Sequence, residues 1–352
     1  MYTPKYYDGT KLLSLKDLEG NTPEIYICTS NRSAGKTTYF QRLLVNRFLK
    51  HGEKFMVVYR FKYELQSVAD KFFKDIQTLF FQDYTMKELK RASGSFIELF
   101  LVDSDNQEQS CGYAVALSTV DSLKKYSHFF SDVGAMFFDE FQSETESYLP
   151  REVSKLMSLH TTTARGQGKQ VRRVPVYMVS NPVSILNPYY DQLGITDRLQ
   201  ENTKFLKGVG WVMEQGHNES AAKAQSESAF NRAFKTNEYT QYQNQGKYLL
   251  DNKAFIERLQ GKYTVVMTLI YHGQFYSVKR FDELGLVYID DKGDENARVI
   301  ISVTDEDHNI NYVSIKSNYM WIAWLRQMFN LGTMRFKNQR CKDCFLTCTS
   351  QY

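Results

Sequence analysis

One stretch limits the folds open to this chain more than anything else in it. Ser30-Asn31-Arg32-Ser33-Ala34-Gly35-Lys36-Thr37 follows a short apolar run, IYICT (25–29), and leads into a helical stretch from Lys36 to Leu49. It reads as the phosphate-binding loop G-x-x-x-x-G-K-[ST], with Ser in place of the first Gly. Gly35 lets the backbone turn close to a phosphate, and successive N–H groups at the helix start form an anion nest. Lys36 can reach β and γ phosphates, and the Thr37 hydroxyl can ligate Mg²⁺. A chance Gly-Lys-Thr before a helix is the bland alternative; the strand–loop–helix setting argues against it.

Such a loop needs a second strand ending in acid, and MFFDEF (136–141) supplies it. Asp139 would hold Mg²⁺ through its water shell, and Glu140 would polarise the attacking water. A Glu directly after the metal-binding Asp favours ATP hydrolysis, the ASCE type of P-loop ATPase, over phosphoryl transfer to a small acceptor. VRRVPVYMVSN (171–181) is a further strand, ending in Ser180-Asn181. The Asn181 amide can sense the γ-phosphate; a capping or turn Asn is the equal alternative.

Around these motifs the chain alternates short apolar strands with helices, which implies an α/β domain with a mainly parallel sheet and ligands at the strand carboxyl ends. KFMVVYRF (54–61) is a strand, with a helix from Tyr63 to Phe73. FIELFLV (96–102) and GYAVALS (112–118) flank a polar turn and form a hairpin. A helix starts after Pro150. From about 214 the sequence turns polar and reads as a helical linker. TVVMTLIYHG, QFYSVKRF, GLVYIDD and ARVIISVT follow as an antiparallel meander, and then a helix over 319–331. The expected division is 1–213, 214–248 and 249–352.

The chain has 352 residues with a net charge of +4, too little for composition alone to imply nucleic-acid binding. Any DNA contact must come from a local cluster. Five Cys, an odd number, argue against a disulfide framework. No apolar run approaches the roughly 20 residues of a membrane span, so a protein of the cytosol where it is made is expected. Cys341, Cys344 and Cys348 stand at i, i+3 and i+7, one face of a helix, and read as core rather than zinc ligands.

The chain resembles the DNA packaging ATPases of φ29-type phages, relatives of terminase large subunits. NRFLKHGEKFMVVYRFKYEL (46–65), the FDEF core, YLPREVSKLM (148–157), SNPVSILNPYY (180–190) and LRQMFNLGTMRFKNQ (325–339) carry the resemblance. It implies an ATP-driven double-stranded DNA translocase that packages the genome. The subunits would form a homo-oligomeric ring, a pentamer by the family, at the portal vertex of the prohead, with a packaging RNA as a further partner of φ29-type motors. Arg165, in a Gly-rich segment, matches the family's arginine finger acting in trans, and Lys124 a second residue acting across the interface. Lys62 matches a DNA contact, with a plain surface Lys as the alternative. Ser30 and Gln167 depart from the family pattern, where Gly and a further Arg stand.

The same resemblance makes 249–352 an α+β RNase H-like domain. Its first strand, Thr264 to Tyr271, has no Asp or Glu, so a two-metal site is missing and an inactive nuclease is expected. Asp290 and Asp291 read as relics. Arg335, Lys337, Arg340 and Lys342 are a candidate RNA surface, with a solvated helix as the equal alternative. A helicase or nucleic-acid remodeller on the same ATPase chemistry competes with packaging, as does an assembly module whose ATP site only gates docking.

Overall fold

The computed structural model describes residues 6–145, 147–196, 198–199, 203–233 and 255–350. The chain divides into two compact units, Met1–Leu250 and Asp251–Tyr352. Among the described residues no helix is long and apolar enough to cross a membrane.

Unit 1 is built on nine strands: β1 (Ile25–Thr29), β2 (Lys54–Tyr59), β3 (Thr85–Arg91), β4 (Phe96–Val102), β5 (Glu108–Ala116), β6 (Val133–Asp139), β7 (Val176–Ser180), β8 (Phe205–Gly208) and β9 (Trp211–Gln215). They form one sheet in the order β3-β4-β5-β2-β6-β7-β1-β9-β8. The six central strands, β5 to β9 in that order, are parallel; β4 with β3, and β8, close the two edges antiparallel.

The central strands are apolar at nearly every position because both faces are covered. Their period of two splits the side chains cleanly. Tyr26, Cys28, Phe55, Val57 and Phe137 pack with Phe40, Leu44, Phe72 and Phe73 on one face. Ile27, Met56, Val58 and Phe138 pack with Leu123, Phe130, Leu159 and Tyr190 on the other. Helix α1 (Lys36–His51) covers the first face and stops where Gly52 adopts φ +67°, two residues past the expected end.

Three local expectations change. The helix foreseen over 63–73 is a short 3₁₀ turn (Lys62–Glu64) followed by a helix over Val68–Phe80. The break comes at Ser67, at φ +51°, while Leu65 turns inward and is buried. The strand foreseen over 171–181 shortens to Val176–Ser180. Pro175 has no N–H to donate, and its carbonyl receives the Met136 amide instead. The boundary expected at 213 falls inside β9, which pairs with β1 from Trp211↔Ile25 to Gln215↔Thr29. Glu214 and Gln215 therefore belong to the sheet. Helix α2 (Glu219–Glu227) and a short helix, Ala229–Ala233, follow it. The rest of the expected linker, and its end at 248, lie outside the described residues.

Unit 2 holds β10 (Thr264–Tyr271), β11 (Gln274–Phe281), β12 (Leu286–Asp290), β13 (Ile300–Ser302), β14 (Val313–Ser314) and β15 (Met334–Phe336), ordered β14-β13-β10-β11-β12-β15. The expected meander holds for three strands only. The fourth, β13, crosses to the far side of β10 and runs parallel to it; β14 and β15 also pair parallel. Helices α3 (Tyr319–Asn330) and α4 (Gln339–Ser350) pack on the sheet. Cys341, Cys344 and Cys348 lie fully buried on one face of α4, against the core that holds Phe336 and Phe345.

Candidate nucleotide site

Three strand ends converge on one cavity of about 290 Å³. The loop after β1 contributes Arg32 to Thr37, β6 contributes Asp139 and Glu140, and β7 contributes Ser180 and Asn181. Because β7 lies between β1 and β6, Asn181 sits between the loop lysine and the acid pair.

Gly35 takes φ +91° at the helix start, a conformation natural to Gly alone. Ser30, in place of the pattern's first Gly, is absent from the left-handed residues, so its backbone accepts a side chain without strain. Lys36 is buried. Its ammonium donates to the carbonyls of Ser30 (2.9 Å) and Asn31 (3.2 Å) and to Asn181 Oδ1 (3.2 Å). Burial pushes its pKa down. Burial also pushes the Asp139 carboxyl up to about 6, against the opposing Thr37 hydroxyl that donates to it. Glu140 takes φ +52°, directs its amide to Asp139 Oδ1 (2.9 Å) and leaves its side chain exposed at the cavity edge.

The family model for podovirus DNA encapsidation protein (Gp16) matches residues 1–348. The chain belongs to that family. It is a phage DNA-packaging protein, as its resemblance to the φ29-type packaging proteins implied. The DNA packaging protein of Bacillus phage phi29 is 28% identical over 339 residues, 95% of this chain and 94% of the relative. That of Bacillus phage B103 is 26% identical over 315 residues, 88% and 91% of the two. A chain of the bacteriophage phi29 viral genome packaging motor assembly superposes with a TM-score of 0.69 at 26% identity, over 98% of this chain and 100% of that one. The Phi-28 gp11 DNA packaging motor shares the fold, with a TM-score of 0.57 at 15% identity over 99% and 98%.

In this packaging protein the remaining sequence-marked residues lie away from the phosphate cavity. Arg165 is exposed beside a separate cavity, with His160, Lys169 and Val171. Its segment is more ordered than a Gly-rich loop suggests: Gly166 and Lys169 exchange backbone hydrogen bonds, and Arg172 donates to the Thr163 (2.7 Å) and Val133 (3.1 Å) carbonyls behind the turn. Lys124 is exposed and pairs with Asp121 at 2.9 Å. Lys62 is exposed on the 3₁₀ turn after β2.

Sequence reasoning missed two features of the site. Asn31 clasps the start of α2: its amide donates to Asn218 O (3.1 Å), and Asn218 N donates back to Asn31 Oδ1 (2.8 Å). Gln225 donates to Ser33 Oγ (2.9 Å). Polar composition hid this, because the partners stand nearly two hundred residues apart. The second is a buried Arg60–Glu152 ion pair behind Glu140.

In the basic run of unit 2, read from sequence as either an RNA surface or a solvated helix, two cations are ion-paired and one is buried. Lys337 pairs with Asp290 (2.9 Å) and Asp291, Arg335 with Glu257 (3.3 Å), and Lys342 is buried. Asp290 and Asp291 hold Lys337, and Asp290 also holds Lys279.

Proposed function

We propose that this chain binds ATP and Mg²⁺ at the β1–β6–β7 cavity, hydrolyses ATP with Glu140, and uses the energy to drive double-stranded DNA into a prohead as a subunit of a ring. One observation carries this most directly. The Lys36 ammonium and the Asn181 amide meet in the same cavity as Asp139 and Glu140. That is the arrangement of an ASCE ATPase, with a sensing Asn between loop lysine and catalytic acid.

The residues fit the groups they would hold. The three oxygens around the Lys36 ammonium are neutral acceptors that phosphate oxygens can replace. The Asp139 carboxyl, pushed up by burial, gains from a cation beside it, and the Thr37 hydroxyl already touches it. Mg²⁺ at this pair would neutralise charge on the β and γ oxygens. Glu140 orients the attacking water and accepts its proton. The Asn31–Asn218 clasp and the Gln225–Ser33 bond tie the first half of the loop to α2.

Arg165 works in trans. It lies outside its own phosphate cavity and on a braced turn, so a neighbouring subunit's site is where its charge has use. Lys124 acts across the same interface, and Lys62 meets DNA phosphate without reading sequence. Unit 2 is an RNase H-like remnant: three antiparallel strands with two more beside the first and parallel to it support that reading. The acid-free β10 and the lysine-bound Asp290 support its lacking nuclease chemistry. No RNA surface is proposed on the 335–342 run.

The test mixes two inactive variants, Arg165→Ala and Glu140→Gln, under ring-forming conditions. Loss of a trans finger in related sites costs about 10³–10⁵-fold. Some mixed interfaces pair an intact Glu140 with an intact Arg165, so ATPase turnover reappears. A mixture as dead as each variant alone, with rings demonstrably formed, would show that Arg165 does not act in trans.

A further inference from the structure

Glu140 has an unusual backbone. A residue with a Cβ is held at φ +52° directly after a buried strand. Such a conformation persists only where the surroundings over-determine it. The amide bond to Asp139 fixes one side of the turn. The other side is fixed by a residue outside the nucleotide-binding motifs.

Arg60 follows β2 and is buried. Its guanidinium donates to Glu140 O (3.3 Å) and Phe141 O (2.6 Å). Its Nε donates to both oxygens of Glu152, each at 3.0 Å. The rings of Phe138 and Tyr148 stand over it at 5.5 and 5.2 Å. Glu152 is fixed in turn: Tyr189 Oη donates to it at 2.7 Å and the Leu149 amide at 2.8 Å. Two guanidinium nitrogens thus hold the carbonyls of Glu140 and of the residue after it, while Arg60 Nε, Tyr189 and the Leu149 amide converge on Glu152 and keep the guanidinium seated.

We infer that Arg60, seated on Glu152 and Tyr189, is the positioning residue that keeps the Glu140 carboxylate aimed into the phosphate cavity. This rests on the reading of Glu140 as the catalytic base. Arg60 makes no contact with the P-loop lysine, so its work falls on the hydrolytic step and not on nucleotide binding. A planar fork with several donors is needed here, because one ammonium cannot span two carbonyls and a carboxylate.

The experiment compares Arg60→Lys, Arg60→Met with Glu152→Met, and Glu140→Gln, each alone and combined, in the full chain. The paired Met variant replaces the whole ion pair with apolar side chains, which keeps the fold where Arg60→Lys leaves a buried carboxylate half-paired. The expected result is a 10- to 100-fold drop in kcat with KM for ATP and nucleotide affinity within threefold of the parent. In the Glu140→Gln background the same Arg60 changes should cost nothing more, because they act through the group already lost. Additive losses in that background, or an unchanged kcat in folded Arg60 variants, overturn the inference. Near-normal turnover of Glu140→Gln itself would instead remove the base assignment, and is read separately.

Discussion

Two strands in this protein end alike and live differently. β6 runs out of an apolar segment into Asp139-Glu140, and β12 runs out of another into Asp290-Asp291. In the first case, among the described residues, no lysine ammonium hydrogen-bonds the aspartate, and burial raises its pKa to about 6 despite the Lys36 charge nearby. In the second, burial pushes the same way, but the Lys279 (2.5 Å) and Lys337 (2.9 Å) ammonium groups override it and hold Asp290 at about 2. A carboxylate held up in pKa is short of a cation; one held down already has its own. An acid pair at a strand end is therefore only half a metal site, and the cations around it decide the other half.

The widest separation between the two pairs should come in turnover. Glu140→Gln is expected to lower ATPase kcat by about 10²–10⁴-fold while nucleotide still binds. Asp291→Asn, at a carboxylate that pairs with Lys337 and accepts from Asn338, should leave it within twofold. Steady-state ATPase rates of the two variants decide this. A drop under tenfold for Glu140→Gln would erase the contrast and move the base elsewhere.

A smaller effect concerns the metal. Asp139 must be ionised to serve Mg²⁺, and its raised pKa makes that fail in an ordinary pH range. Mg²⁺-dependent nucleotide affinity should hold steady above about pH 6 and weaken roughly tenfold per pH unit below it. Asp139→Asn should weaken Mg²⁺-dependent binding at every pH and remove this slope. Titrations with Mg²⁺ between pH 5 and 8 would reveal it. A flat profile for the parent chain would mean that Asp139 does not take the metal.

Much of this is legible in the sequence, for physical reasons. Strands buried on both faces read as unbroken apolar runs, so β1, β2, β6 and β7 announced themselves, and their polar last residues marked the site. The β4–β5 hairpin was visible because Asp103 caps its turn, taking the amides of Asp105 and Gln107. What escaped depends on partners far along the chain. β3, TMKELKR, is a polar edge strand with one face in water, and nothing in its composition separates it from a helix. The end of β9, Glu214 and Gln215, reads as the start of a linker because only its pairing with β1 makes it part of the sheet. Arg60 and Glu152 stand 92 residues apart, and neither lies in the nucleotide-binding motifs. The 335–342 lysines and arginines looked solvent-facing because charge alone does not tell which acids fold back onto them.

The last consequence of the comparison is a stability effect of opposite sign. Asp290 has a folded pKa below its unfolded value, so its ion pairs stabilise the protein above about pH 4, and that contribution is lost as pH falls toward 2. Asp290→Asn removes a nearly buried charged partner from Lys279, whose ammonium otherwise faces the Tyr263 ring at 4.4 Å. Breaking one side of such a pair costs about 3 kcal/mol, so Tm near pH 7 should fall clearly and lose much of its dependence on acid below pH 4. Asp139 is the reverse. Its folded pKa is raised, so its ionised form burdens the fold above about pH 6, and the burden lifts as pH falls toward 4. Without Mg²⁺ or nucleotide, Asp139→Asn should raise Tm at pH 7 and leave it little changed at pH 4.5. Paired thermal melts of the two variants across pH 3 to 8 provide the check. If both substitutions lower Tm at pH 7, the two acid pairs do not differ in the way their surroundings imply, and Asp139 is a structural ion-pair partner rather than a carboxylate waiting for a cation.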